Sequence, residues 1–398
     1  MPSTKKQSFT SNKKRTAFIV LHGIGEQSPF ETLDAFTANF AGSLQRTTTV
    51  KLAHEISTRK GASGSLWQEQ FIQIEQAKGT PIDVHEFYWA YITEDKITIP
   101  EVVAWVEQTL AGTKKFYHED AALQNAYERR RSTKRFPLAH VLWLLRLAAI
   151  AVPFVEIARF LFSPVIHLPF FTWLSKITDK LLKKFGWVIT GYLGDVAIYT
   201  TTDAKSKYYR IRQQILNESQ TLVEEILADP AYDRVILAGH SLGSLIAYDT
   251  LNRLNIKANL PEGARLPIKK LAGLITFGSP LDKIAFFFRE QAQKNEQIRK
   301  QILAHLHSFK SKPLSFEPYS LPVSNPLKPK LDGIPWVNYY AHNDPVSGHL
   351  DFYTINESDN VKLELPQAWG VAHTGYWTSE YFYEDIIRRF VTKEPIDE

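Results

Sequence analysis

Short apolar runs that end in turns recur along the chain. Residues 17–21 form one such run and lead into His22-Gly23-Ile24-Gly25, and residues 235–238, 271–277 and 336–340 repeat the pattern. Continuous apolar runs bounded by turn residues are typical of strands that are buried on both faces of a parallel sheet. We predict further strands at residues 82–89 and 361–365.

Apolar residues spaced by three and four positions follow several of these strands. Residues 32–44 and 241–254 carry this spacing, which predicts helices packed on the sheet. Strands that alternate with helices favour a mainly parallel, doubly wound sheet. The predicted fold class is therefore α/β, with a helical and strongly apolar insertion.

The insertion centres on an apolar stretch, residues 136–174. Basic residues flank it on both sides: Arg129, Arg130, Arg131, Lys134 and Arg135 before it, and Lys176, Lys180, Lys183 and Lys184 after it. Such flanks are expected where both ends face one anionic leaflet, which favours a membrane hairpin entered from the cytoplasmic side. Arg146, Pro153 and Arg159 interrupt the stretch. A helical cap that lines an acyl pocket therefore stays an alternative.

These patterns divide the chain into four parts. We predict a disordered basic tail at residues 1–15, the first part of an α/β core at 16–112, the insertion at 113–190, and the second part of the core at 191–398. The tail lacks the apolar centre of a signal peptide. The expected location is therefore the cytoplasm, with peripheral or monotopic membrane association.

Composition narrows the chemistry. The chain contains no cysteine, which excludes disulfides, thiolate metal sites and a cysteine nucleophile. Its net charge of +5 is modest and is compatible with an anionic membrane, nucleic acid or neither, depending on where the charges cluster. Because basic residues flank the apolar stretch, the partners we predict are a lipid or other ester substrate and an anionic membrane surface, not nucleic acid. Serine chemistry is favoured.

Ser241 is the candidate nucleophile. It lies in Gly239-His240-Ser241-Leu242-Gly243, between a predicted strand and a predicted helix. A serine hydroxyl becomes a useful nucleophile when a strained strand-to-helix turn exposes it to a general base. The two glycines allow such a turn.

Two backbone amides are expected to bind the oxyanion. Leu242 follows the nucleophile and supplies one donor, and Ile24, in the turn after the first strand, supplies the other. Gly25 permits the close approach of that turn. We assign a structural role to His22.

The acid and the base are expected to follow the serine in the order Ser, Asp, His, each on a loop after a strand. Asp344 and Asp282 compete for the acid; we favour Asp344, which directly follows a predicted strand, because Asp282 is readily explained as a helix N-cap. For the base we favour His373 over His349, because His349 lies too close to Asp344 to belong to a separate strand and loop.

With these residues the chain resembles the α/β-hydrolase superfamily. Residues 235–254, with Gly194-Asp195-Val196 and Tyr199 upstream, are similar to the nucleophile region of DDHD-type intracellular phospholipases. The later motifs are more similar to fungal-type triacylglycerol lipases: Thr276-Phe277-Gly278-Ser279-Pro280, Asn343-Asp344-Pro345-Val346, and His373 with Gly375 and Tyr376. The turn at Ile24 is similar to the oxyanion turn of small bacterial lipases.

The resemblance implies an α/β-hydrolase fold and a lipase or esterase that cleaves carboxylic, lipid-type esters through an acyl-enzyme. It implies Asp344 and His373 as the acid and base, and no metal or organic cofactor. Two alternatives stay open. One is an acyltransferase or thioesterase that uses the same triad, and the other is a noncatalytic membrane tether with a hydrolase fold.

Overall fold

The computed structural model describes residues 14–23, 28–60, 66–93, 199, 207–282, 296–312, 321–344, 346–366 and 372–392. The predicted insertion at 113–190 lies outside the described residues, as does the basic tail up to residue 13. The four predicted parts of the chain therefore stay predictions.

One eight-stranded sheet organises the described residues, in the order β2-β3-β4-β1-β5-β6-β7-β8. The strands are β1 (Arg15–Leu21), β2 (Val50–Lys60), β3 (Leu66–Gln76), β4 (Ile82–Phe87), β5 (Tyr232–His240), β6 (Leu271–Phe277), β7 (Trp336–Tyr340) and β8 (Asn360–Lys362). From β4 to β8 all neighbours are parallel, and only β2 and β3 run antiparallel to theirs. The α/β class and the mainly parallel sheet are confirmed.

Helices cover both faces of this sheet. The helices are α1 (Glu31–Gln45), α2 (Ala90–Thr93), α3 (Lys207–Ala228), α4 (Leu242–Ala258), α5 (Gln297–Leu306) and α6 (Glu380–Ile386). Phe18 and Val20 of β1 join the core with α1 and α6, whereas Ala17, Ile19 and Leu21 join the core with α3 and α4. Burial on both faces explains why β1 is an uninterrupted apolar run.

Two strands and one long helix were absent from our predictions. The strands β2 and β3 pair antiparallel at one edge of the sheet, and β2 leaves Leu52 and Ile56 exposed. An edge strand with an exposed face lacks the continuous apolar run by which we identified the others. The helix α3 does carry the helical spacing, with Ile215, Leu222 and Ile226 buried.

A membrane-spanning helix is not found in the described part of the chain, where no helix has the required length and apolarity. The hairpin predicted at residues 136–174 falls outside that part.

Candidate active site

Ser241 occupies the turn between β5 and α4 in a strained backbone conformation. Its φ of 51° and ψ of −123° are rarely adopted by residues with a side chain. Neighbouring hydrogen bonds hold this conformation: the Ser241 amide donates to the Phe277 carbonyl at 3.0 Å, and the Ser244 hydroxyl donates to the Gly239 carbonyl at 2.8 Å. Strain that is held in this way is common at functional sites.

The glycines of the motif allow close packing rather than a positive φ, since neither Gly239 nor Gly243 has one. A Cβ at Gly243 would lie 2.2 Å from the Leu21 carbonyl oxygen, and one at Gly239 would lie 2.4 Å from the Gly243 carbonyl oxygen. The first turn of α4 therefore crosses the end of β1 at backbone contact distance, which brings Ser241 next to the loop that follows β1.

Ser241, His373 and Asp344 form a hydrogen-bonded relay. His373 Nε2 lies 2.8 Å from Ser241 Oγ, and His373 Nδ1 lies 3.0 and 3.1 Å from the two carboxylate oxygens of Asp344. The three residues follow β5, β8 and β7 respectively. Because the carboxyl ends of parallel strands meet at one edge of a sheet, residues far apart in the chain converge here. The structure thus brings together the three residues that we had singled out.

The Asp344 carboxylate is buried and receives further donors. The Val346 amide donates to Oδ1 at 2.8 Å, and the Tyr376 hydroxyl donates to Oδ2 at 2.9 Å. Burial alone would raise the pKa of Asp344, but the hydrogen bonds and the charge of His373 hold it well below its usual value of 3.8. An ionised Asp344 accepts a hydrogen bond from the N–H at His373 Nδ1, and in this tautomer Nε2 is the ring atom that can accept the Ser241 proton.

Tyr376 is a functional candidate whose role we did not predict. It lies three residues after His373 in the 3₁₀ segment Ala372–Thr378, where residues i and i+3 are eclipsed. Its hydroxyl also lies 2.8 Å from Ser347 Oγ, so Asp344 is held from two loops. The spacing of His373 and Tyr376 was visible in the sequence, but the identity of the hydroxyl's partner was not.

The rejected alternatives have other partners. The carboxylate of Asp282 accepts hydrogen bonds from the amides of Asp351 and Phe352, at 2.9 and 3.1 Å, and thereby anchors the loop that follows Asp344. The ring of His349 lies 2.8 Å from Asp351 and 3.0 Å from Glu357. Asp282 and His349 therefore make structural contacts outside the relay.

His22 stabilises the loop after β1. Its Nε2 accepts a hydrogen bond from the Trp89 amide at 2.9 Å, and its Nδ1 donates to the Gly23 carbonyl at 2.7 Å. Burial lowers the pKa of His22 to about 4, so the ring is neutral. This agrees with the structural role that we assigned to it.

Of the two predicted oxyanion donors, Leu242 is among the described residues and Ile24 is not. Ile24 and Gly25 lie outside the described residues. Leu242 is the first residue of α4. The first amides of a helix have no acceptor within the helix, and the helix dipole favours a negative charge there.

His240 packs against His373. Its Nε2 donates to the main-chain carbonyl of His373 at 2.9 Å, and the two rings lie 4.8 Å apart. Burial, followed by the neighbouring His373, lowers the pKa of His240 to about 3. The His240 ring is therefore neutral.

Tyr199 belongs to a buried polar cluster with Arg212 of α3 and Asp249 of α4. Its hydroxyl donates to Asp249 Oδ2 at 2.8 Å, and Arg212 donates to the same oxygen at 3.0 Å. Gly194, Asp195 and Val196, which share the resemblance with Tyr199, lie outside the described residues. Tyr199 therefore contributes a buried hydrogen bond to α4, the helix that follows Ser241.

No protein-family model matches this chain, and no curated protein matches it in sequence.

Proposed function

We propose that this protein is a serine hydrolase of the α/β-hydrolase type that cleaves carboxylic esters. The observation that supports the proposal is the relay from Ser241 through His373 to Asp344, whose contacts are all within hydrogen-bond distance. A nucleophile, a base in contact with it and an acid that orients the base are the groups that acyl transfer requires.

In the first half of the reaction, Ser241 Oγ attacks the ester carbonyl carbon while His373 Nε2 takes the hydroxyl proton. The amide of Leu242 and the predicted donor Ile24 stabilise the oxyanion. The tetrahedral intermediate then expels the alcohol, which receives the proton from His373. Asp344 stays ionised throughout and stabilises the imidazolium.

In the second half, His373 removes a proton from water, and the resulting hydroxide attacks the acyl-enzyme. The carboxylic acid leaves, and the proton returns to Ser241 Oγ. A hydrolase and an acyltransferase differ only in the acceptor at this step. Analysis of the products with and without a competing alcohol or thiol distinguishes them.

A lipid ester at a membrane surface is the substrate that we propose. The support comes from the apolar stretch 136–174 and its basic flanks. The test is to compare turnover of a soluble short-chain ester with that of anionic phospholipid vesicles. A chain that lacks residues 129–184 is expected to lose the preference for vesicles and to be released from membranes.

The nucleophile is tested with a fluorophosphonate probe, which labels activated serines covalently. We expect labelling of the native chain and of Ser43→Ala, a serine on α1, and none of Ser241→Ala. Persistent labelling of Ser241→Ala would place the nucleophile elsewhere. No labelling of the native chain, together with no ester turnover, would favour the noncatalytic tether.

A further inference from the structure

The helix α5 exposes three of its large apolar side chains. Ile298, Ile302 and Leu306 are 51%, 46% and 42% exposed, whereas the residue of α5 that is buried is Gln301. Helices in proteins are usually stabilised by packing an apolar face against the core. In α5 this relationship is inverted.

The three apolar residues form one stripe because they are four positions apart. Gln301 connects the helix to residues 321–323: its side chain donates to the Leu321 carbonyl at 3.1 Å and accepts from the Val323 amide at 2.7 Å. Leu321, which is 67% exposed, is thereby held beside the helix. We call Ile298, Ile302, Leu306 and Leu321 the α5 patch.

The surroundings of the α5 patch are basic. Residues 296–312 contain Arg299, Lys300, Lys310 and Lys312, and their one acidic residue is Glu296. Glu296 accepts a hydrogen bond from Arg299 at 2.7 Å. The segment 321–330 adds Lys328 and Lys330, and the acidic residues that act on Lys310 are Asp332 and Asp359.

An apolar stripe beside basic residues is the arrangement by which amphipathic helices lie in the interface of anionic membranes. The apolar side chains enter the boundary of the acyl chains, and the cations attract anionic head groups. We infer that the α5 patch docks this protein on an anionic lipid surface. The inference rests on the proposed function in so far as that surface carries the substrate, but lipid binding is measurable without turnover.

The absence of cysteine makes a direct test available, since one introduced cysteine carries the only thiol label. We attach a polarity-sensitive fluorophore to Ile302→Cys in the Ser241→Ala chain, which leaves the vesicle lipids intact. The matched control is Ile56→Cys on β2, because Ile56 is 59% exposed. Vesicles contain phosphatidylcholine with or without phosphatidylglycerol, and a nitroxide-labelled lipid as quencher.

With anionic vesicles we expect quenching at residue 302 that is several-fold stronger than at residue 56. Without phosphatidylglycerol, or at high salt, the quenching at residue 302 should fall several-fold. Equal quenching at both positions, or none at residue 302 while the protein sediments with vesicles, would overturn the inference. The inference would also fail if the label at residue 302 became more shielded as the protein concentration rises without lipid. Such shielding would indicate that a second copy of the chain covers the α5 patch.

The proposed function is tested separately with the same substitution at residue 302. Ile302→Cys with an intact Ser241 should hydrolyse a soluble ester at the native rate, which also shows that the chain is folded. If native and variant chains lack ester turnover but residue 302 still enters the lipid, the hydrolase proposal fails and the docking surface stands.

Discussion

The hydroxyl of Tyr376 lies 2.9 Å from Asp344 Oδ2 and donates a hydrogen bond to it. His373 and the Val346 amide contact the same carboxylate, so its two oxygens are held by three residues of two loops. An orienting acid works through its position, because it fixes the ring and the tautomer of the base. Tyr376 is therefore a positioning residue in the proposed mechanism.

Replacement of Tyr376 by phenylalanine should change the pH profile. Without the hydroxyl, the Asp344 anion is less stabilised and holds a protonated His373 more strongly. The acid limb of kcat/KM should therefore move to higher pH, and the free energy of unfolding should fall by about 1–3 kcal/mol. Both are measured on a soluble ester and by urea denaturation.

The control for this variant is Tyr383→Phe. The Tyr383 hydroxyl is also in the interior and donates to the Trp377 carbonyl at 3.1 Å, but no contact with Asp344 is described. We expect lower stability and an unchanged acid limb. A pH profile that shifts equally in both variants would reduce Tyr376 to a packing residue.

We expect opposite outcomes from asparagine substitutions at Asp344 and Asp282. Asp344→Asn removes the acceptor that selects the tautomer of His373, so kcat should fall by about 10⁴-fold with little change in KM. Asp282→Asn disturbs the amides of Asp351 and Phe352, so it should cost about 1–3 kcal/mol of stability and less than about tenfold in kcat. Steady-state kinetics decide. A larger loss of kcat in Asp282→Asn would make Asp282 the acid.

Two glycine substitutions test the packing of the nucleophile turn. In Gly243→Ala the new methyl would lie 2.2 Å from a backbone oxygen that cannot rotate away, so unfolding should become easier by about 3 kcal/mol or more. Gly42→Ala on α1 meets nothing within 4 Å and should stabilise the protein by about 0.5–1 kcal/mol. Thermal unfolding measures both. A Gly243→Ala chain of native stability would contradict the contact of α4 with β1.

Stability should fall on mild acidification because two histidines are buried in the neutral form. The pKa drops from 6.5 to about 4 for His22 and from 6.5 to about 3 for His240. Below pH 6.5 the unfolded chain binds protons that the folded chain does not. The stabilisation is complete above pH 6.5 and is lost as the pH falls towards 4, by up to about 1.4 kcal/mol per pH unit for each ring.

Urea denaturation between pH 7.5 and about 4.5 measures this slope. The variant His22→Gln should have a shallower slope than the native chain, since one titrating ring is gone. Asp344 does not account for the slope in this range, because its lowered pKa affects stability only near and below 3.8. The buried carboxyls of Asp83 and Glu86, whose pKa values are raised by burial, act in the opposite direction, so the comparison with His22→Gln is the test. An equal slope in the native chain and in His22→Gln would mean that the His22 ring is accessible to protons.

Local patterns were sufficient for part of the fold. The strands β6 and β7 have the bounds that the apolar runs predicted, because strands buried on both faces carry their own signal. The sheet edge lacked that signal, so β2 and β3 were missed. The strand β8 ends at Lys362, three residues before the predicted end, because its pairing with β7 extends only from Asn360 to Lys362.

By itself, the sequence determined the α/β class, the turn that carries Ser241, and the order of the residues that follow it, since strand, turn and helix are each encoded within a few neighbouring positions. Only the tertiary structure shows that Asp344 contacts His373 while Asp282 accepts from the amides of Asp351 and Phe352, that the Tyr376 hydroxyl donates to Asp344, and that His240 donates to the main chain of His373. These contacts are hydrogen bonds between segments that meet at one edge of the sheet, such as the bond from His240 to His373 across 133 residues. Spacing along the chain does not contain this information, because it specifies neither which loops meet nor which side chains are buried together.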